Sequence, residues 1–225
     1  MPIEFNPIAH IHTCYPEKFG APRQPGIVPE AWGEIVFQPP FRNTKALRGL
    51  EGFSHLWLIF IFDQALRDEW QPTVRPPRLG GNEKVGVFAS RSPFRPNPIG
   101  LSCVSIESID LDHKNAPVIH VKGVDLVDGT PILDIKPYIP YADSIESADG
   151  GFAHQPPEAL PVKWAADINI TKLPKLLIEA TLSADPRPAY QKGDSGREYG
   201  CSVDGFNIRW QVHKNEALIT SCTPI

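Results

Sequence analysis

The stretch Phe53-Ser-His-Leu-Trp-Leu-Ile-Phe-Ile-Phe62 is apolar almost without interruption and rich in β-branched and aromatic side chains. Such a run predicts a strand covered on both faces and central to its sheet. Working outward, shorter strand candidates fall at 33–37, 85–89, 99–111, 117–122 and 132–135, separated by Gly, Pro and Asp turns at the spacing of a barrel or sandwich. A short helix is expected over 43–50. The 25 prolines and 17 glycines favour a loop-rich, mainly β architecture over a helical bundle.

From Tyr141 to Pro161 the composition shifts to Ala, Ser, Asp, Gly and Pro with little periodicity. This divides the chain into a larger domain over 1–142, a linker or excursion over 143–161, and a smaller module over 162–225. In that module Thr171 precedes Leu173, Leu176, Leu177 and Ala180 at helical spacing, with Pro174 in the first turn, where its missing N–H is tolerated. Residues 198–203 and 206–212 flank Asp204-Gly205, a step suited to the positive φ angles of a hairpin turn. The module reads as α+β.

With 225 residues, 41% of them apolar and 21% charged, the chain can bury a substantial core. Its longest apolar run, Leu56 to Phe62, is too short to span a bilayer, and the N-terminus lacks a basic-then-apolar signal pattern, so a cytoplasmic location is expected. Cys14, Cys103, Cys201 and Cys222 are scattered without a Cys-x-x-Cys pair, which suggests reduced thiols rather than a disulfide framework or zinc knuckle.

Charge is unevenly placed. Residues 75–100 alternate stiff prolines, permissive glycines and cations, and Arg75, Arg78, Lys84, Arg91 and Arg95 stand there against Glu83 alone, in a chain whose formal net charge is −4. Proline restricts the residue before it, so Arg75, Arg95 and Asn97 are held out of the helical region and their side chains are expected to project from an ordered backbone. One focused cationic patch suits a defined anionic substrate or a short RNA region, not bulk coating of nucleic acid.

Motif searches narrow the chemistry. Gly80-Gly81 and Gly86 make neither Gly-x-Gly-x-x-Gly nor a Gly-Lys-Ser/Thr step, so Rossmann and P-loop readings fail. His10 and His12 would share a strand face, but no third ligand lies nearby and no metal site is assigned. No Ser or Cys sits in a nucleophile elbow. Asp125-Leu-Val-Asp-Gly-Thr-Pro places two carboxylates ahead of a glycine turn, where they could meet ribose hydroxyls or an ammonium, although a plain turn explains them nearly as well. Asp185-Pro-Arg-Pro-Ala-Tyr190 holds an acid, a cation and an aromatic in one rigid loop.

The string Gly86-Val-Phe-Ala-Ser-Arg-Ser-Pro-Phe-Arg-Pro-Asn97, together with Pro22-Arg-Gln-Pro25, Gly52-Phe-Ser-His-Leu-Trp57, Arg75-Pro-Pro-Arg-Leu-Gly80, Asp125-Leu-Val-Asp-Gly-Thr-Pro-Ile132 and Asp185-Pro-Arg-Pro-Ala-Tyr190, resembles the TsaA-like family of bacterial TrmO over nearly the whole chain. The resemblance implies a small non-Rossmann β-barrel over 1–142 and a homodimer. It implies S-adenosyl-L-methionine as cofactor, and methylation of N6 of threonylcarbamoyladenosine beside the anticodon of threonine tRNA. Carried over, the cofactor contacts are Pro22, Arg23, Gln24, Asp63, Gln64, Arg91, Leu101, Asp125, Leu126, Val127 and Asp128. At Asp63 the chain departs from the family pattern, which has histidine before the glutamine, so only a backbone contact carries over there.

The charges are consistent with this reading. Arg23 or Arg91 could meet the donor's carboxylate and Asp125 or Asp128 its ammonium through charge-assisted bonds. Asp185 and Tyr190 are the candidates for proton handling at N6, and Arg75, Arg78, Arg95 and Arg187 for contacts to the tRNA anticodon loop. A non-catalytic RNA-binding or adaptor module is the alternative, since a rigid Arg/Pro loop can recognise phosphate without catalysis. A small-molecule hydrolase is weaker for want of a nucleophile or metal cluster.

Overall fold

In chain order the first eight strands are β1 (Ala9–Thr13), β2 (Trp32–Phe37), β3 (His55–Ile61), β4 (Thr73–Val74), β5 (Val85–Gly86), β6 (Ile99–Asp110), β7 (Val118–Lys122) and β8 (Thr130–Pro137). Six of them close a barrel in the order β1-β2-β7-β6-β3-β8, while β4 and β5 pair with each other. The computed structural model describes residues 3–188, 191 and 196–225.

The run that predicts a doubly covered central strand is β3, and its environment differs from that expectation. A closed barrel has no central strand and only one interior. Leu56, Leu58 and Phe60 point inward and are buried, while Trp57, Ile59 and Ile61 form a half-buried outer row. That row pairs across to Cys103, Leu101 and Ile99 of β6, the last two open to solvent. The strand expected at 85–89 shrinks to β5 followed by a 3-10 turn at Val87–Ala89. Its partner β4 lies between Pro72 and Pro76, which have no N–H to extend the ladder. The expected helix over 43–50 is two 3-10 turns, Thr44–Leu47 and Leu50–Gly52, separated at Gly49, whose φ is 90°.

The 143–161 excursion follows a short helix, α1 (Pro140–Asp143), and contains a 3-10 turn at Gly151–Ala153. Beyond it come β9 (Val162–Trp164), α2 (Lys175–Ser183), β10 (Glu198–Val203), β11 (Phe206–His213) and β12 (Glu216–Pro224). The four strands form a sheet ordered β10-β11-β12-β9, with β9 parallel to β12. Asp204 and Gly205 adopt φ of 51° and 76° at the β10–β11 turn. Pro174 caps α2 rather than lying within it, and Leu176 faces solvent while Leu177, Ile178 and Leu182 are buried. Buried residues of barrel and sheet form one contiguous cluster.

Register places the loops. Ile61 pairs with Ile99, Thr13 with Gly33, Trp32 with Lys122 and Ile11 with Thr130. The exit of β1, entry of β2, exit of β3, entry of β6, exit of β7 and entry of β8 therefore share one end of the barrel. Three connections gather there: residues 14–31, 62–98 and 123–129.

Candidate functional site

Those three loops carry most of the sequence-predicted site residues. Pro22, Arg23 and Gln24 lie on the first, Asp63, Gln64, Arg75, Arg78, Arg91 and Arg95 on the second, and Asp125 to Asp128 on the third. Leu101 is near the start of β6, at the same end.

The loops are tied to one another. Arg91 Nη1 donates to Gln24 Oε1 at 2.5 Å, joining the second loop to the first. Lys18 Nζ donates to the Gln64 carbonyl at 3.1 Å, a second link between the same two loops. Asp125 accepts from Ser102 Oγ at 2.6 Å. Burial raises its carboxyl to about 6, against the lowering effects of the Ser102 hydrogen bond, its backbone and the nearby Arg91 guanidinium. Arg91 is thus bonded to a neutral amide and close enough to lower the Asp125 carboxyl, a pairing of charges that can meet a zwitterion. Ser102 is absent from the sequence reading. Its signal is a polar residue on the inward row of an alternating strand, between Gly100 and Val104.

Asp125 and Asp128 have different jobs. Asp128 Oδ1 accepts from the Thr13 N–H at 3.0 Å and lies 3.2 Å from His12 Nδ1, so it fastens the third loop to β1. Leu126 is buried, and its carbonyl accepts from Thr13 Oγ1 at 3.0 Å. The Val127 carbonyl accepts from Thr130 Oγ1 at 2.6 Å. The Leu101 side chain lies on the outer face of the barrel, opposite Ile59, with its backbone adjoining Ser102.

Two arginines depart from the expectation of free phosphate contacts. Arg187 is 3% exposed and pairs bidentately with Asp185, Nε to Oδ1 at 2.7 Å and Nη2 to Oδ2 at 3.1 Å. A guanidinium withdrawn from solvent is out of reach of a phosphate chain. Its role is to hold Asp185, whose φ of 49° is a strained left-handed conformation for a non-glycine residue. Arg95 does not project freely either, since Nη1 folds back to the Ser90 and Ser92 carbonyls at 3.1 and 3.5 Å. Arg75 and Arg78 are exposed. Tyr190 lies outside the described residues.

Asp185 nevertheless reaches the same end of the barrel. Arg23 Nη2 donates to the Arg187 carbonyl at 2.8 Å, and burial lowers the Arg23 guanidinium while the Asp185 charge partly opposes that shift. The C-terminal sheet also grips the first loop. The Asp204 N–H donates to the Cys14 carbonyl at 2.8 Å, the Ser202 N–H to Glu17 Oε1 at 2.8 Å and Trp32 Nε1 to Asp204 Oδ1 at 3.0 Å. Phe19 stacks on Trp210 with centroids 5.9 Å apart.

All four cysteines are free, and burial raises the Cys14 and Cys201 thiols to about 12, which makes them inert packing groups. Among the described residues no group of three or more His, Cys, Asp or Glu side chains is placed to hold a metal, and no helix is long and apolar enough to cross a membrane.

Fold and site together define a class: a closed antiparallel barrel whose charged candidate site is built by three loops at one end, with no doubly wound parallel sheet among the described residues. The family model for the tRNA-methyltransferase O N-terminal domain matches residues 10–144 and that for the TrmO C-terminal domain matches residues 157–225, so the chain belongs to the TrmO family. It is 46% identical to a tRNA (adenine(37)-N6)-methyltransferase of Escherichia coli strain K12 over 93% of each chain. It is 45% identical to a putative S-adenosylmethionine-dependent methyltransferase, RcsF, of Pseudomonas aeruginosa, over 95% of this chain and 94% of that one. A crystal structure of TrmO from P. aeruginosa superposes with a TM-score of 0.82 at 36% identity, covering 99% of both chains.

Proposed function

We propose that this chain is an S-adenosyl-L-methionine-dependent tRNA methyltransferase acting on N6 of the adenosine beside the anticodon, at position 37, in its threonylcarbamoyl-modified form in threonine tRNA. The observation that carries the reading is the convergence of Gln24, Arg91 and Asp125 from three loops at one barrel end. An exposed cationic guanidinium and a largely desolvated carboxylate within electrostatic reach of each other suit the carboxylate and ammonium of an amino-acid moiety. The fit is one of chemistry: Arg91 would hold the donor's carboxylate and Asp125 its ammonium.

When bound, the donor supplies an electrophilic methyl group on a sulfonium that leaves as a neutral thioether. The chain's task is to hold the acceptor nitrogen in line and to receive its proton. Asp185, braced by Arg187 and tied through Arg23 to the donor-side loop, is our candidate for the proton, with Tyr190 five residues further along the sequence. Arg75 and Arg78 are the exposed cations for the anticodon-loop backbone. Residues 1–142 carry the donor site, 143–161 the connection and 162–225 the module that completes it. The exposed Ile99 and Leu101 on the outer barrel wall suit a second copy of the chain, and a cytoplasmic enzyme follows from a tRNA substrate.

The test is methyl transfer from labelled donor to threonine tRNA, with nucleoside mass spectrometry of tRNA from cells lacking the protein. Transfer to the modified adenosine supports the reading. RNA binding without donor binding would favour the adaptor alternative.

A further inference from the structure

We infer that the segment following Gln64 forms a stacking cradle for unpaired bases of a single-stranded RNA loop, a site distinct from the donor-binding residues and resting on the function proposed above. Between the ends of the second loop, which the Phe62 N–H closes on the Pro98 carbonyl at 2.8 Å, lies a cleft of about 210 Å³ lined by Arg67, Asp68, Glu69, Trp70, Phe94 and Arg95 among others. The Arg67 guanidinium carbon sits 3.8 Å above the Phe94 ring. Trp70 and Phe88 lie with centroids 6.1 Å apart and planes inclined at 31°. Trp70 is 50% exposed and Phe88 72%.

Three large rings held open to water on one loop are unfavourable unless something covers them. The occupant is identified by charge. Elsewhere on the same loop, across 75–95, five cations stand against Glu83 alone, a charge that draws a polyanion to the loop and repels a cationic partner; of the five, Arg95 lines the cleft, its guanidinium held by the Ser90 and Ser92 carbonyls. Asp68 and Glu69 disfavour a phosphate at their end of the cleft but accept from exocyclic amino groups, so bases, not backbone, enter there. Aromatic faces and a guanidinium plane are the surfaces on which splayed bases stack. The cleft's first lining residue, Ala65, follows Gln64, so the cleft continues the loop that the proposed function places at the donor end.

The test measures binding of a short RNA hairpin carrying the threonine-tRNA anticodon loop to the full chain, and of the same hairpin with abasic loop positions. Trp70→Ala and Phe88→Ala are each expected to weaken binding of the intact hairpin about tenfold to hundredfold. Trp70→Phe should restore it to within about threefold, since a ring is retained. Neither alanine variant should change the salt slope, because no phosphate contact is lost, and the abasic hairpin should bind wild type and variants alike. Wild-type affinity in both alanine variants, or equal wild-type affinity for intact and abasic hairpins, overturns the cradle. So does a Trp70→Ala variant that only changes sedimentation from dimer to monomer, which would assign the rings to a second copy. Calorimetry with S-adenosylmethionine on the same preparations separates the two claims. Donor heat with unaltered RNA binding by the variants defeats the cradle alone, whereas absence of donor heat in the wild type defeats the proposed function.

Discussion

Asp125 is where burial and charge compete most directly. Its carboxyl is raised from 3.8 to about 6 by burial, with Ser102 and Arg91 pulling the other way. A raised acid favours the ligand-free fold when protonated: that contribution is complete below about pH 4 and is lost as pH rises through about 6. Asp125→Asn is therefore expected to leave melting unchanged below about pH 4 and to stabilise the ligand-free chain by on the order of 2 kcal/mol above about pH 6.5, as seen by thermal denaturation across that range. With the donor's ammonium on Asp125, as proposed, donor binding has the opposite demand, because an ammonium needs the ionised form. Affinity for S-adenosylmethionine should fall about tenfold per unit below about pH 6 in the wild type and be weak and flat in Asp125→Asn. A variant that keeps the wild-type pH profile would remove Asp125 from the site.

The strands form as their side chains dictate, and the barrel tolerates little change in its interior. At Gly100 of β6 an added Cβ would lie 2.2 Å from the Phe60 ring. Gly100→Ala must displace that ring, and a loss of about 1–3 kcal/mol is expected by chemical denaturation; an unchanged midpoint would show that the wall can yield. The apolar run at 53–62, the hairpin at Asp204-Gly205 and the strands at 99–111 and 117–122 were legible because period, branching and turn chemistry agree there. β9 was not, being three residues long and too short to show a period. Of the candidate site, Arg91 stood out in a stretch rich in Pro, Gly and cations and Asp125 in a paired-carboxylate turn, while Gln24 entered only through the family resemblance. Their meeting depends on register between distant strands, as does the Ser102 contact, and no local pattern encodes that. Arg187 misled because burial by the C-terminal module is not written in an Asp-Pro-Arg-Pro string.

The molecule works as one body because its C-terminal sheet fixes the loop that carries Pro22, Arg23 and Gln24. Phe19, partly buried, stacks on Trp210, and Gly20, with φ of 111°, lies so close to the sheet that a Cβ would sit 3.3 Å from Cys201. Phe19→Ala is expected to cost about 3 kcal/mol in unfolding free energy, and donor affinity should fall with it although Phe19 is not among the proposed donor contacts. Retained affinity would mean that the loop keeps its shape without the sheet. The central claim is that three loops at one barrel end bind a zwitterionic sulfonium donor. Calorimetric titration of S-adenosylmethionine into the full-length chain at neutral pH tests it most directly. The account predicts a saturable heat in the wild type and an affinity at least about tenfold weaker in Arg91→Ala at unchanged melting temperature. Absence of heat in the folded wild type, or equal affinity in Arg91→Ala, would contradict it.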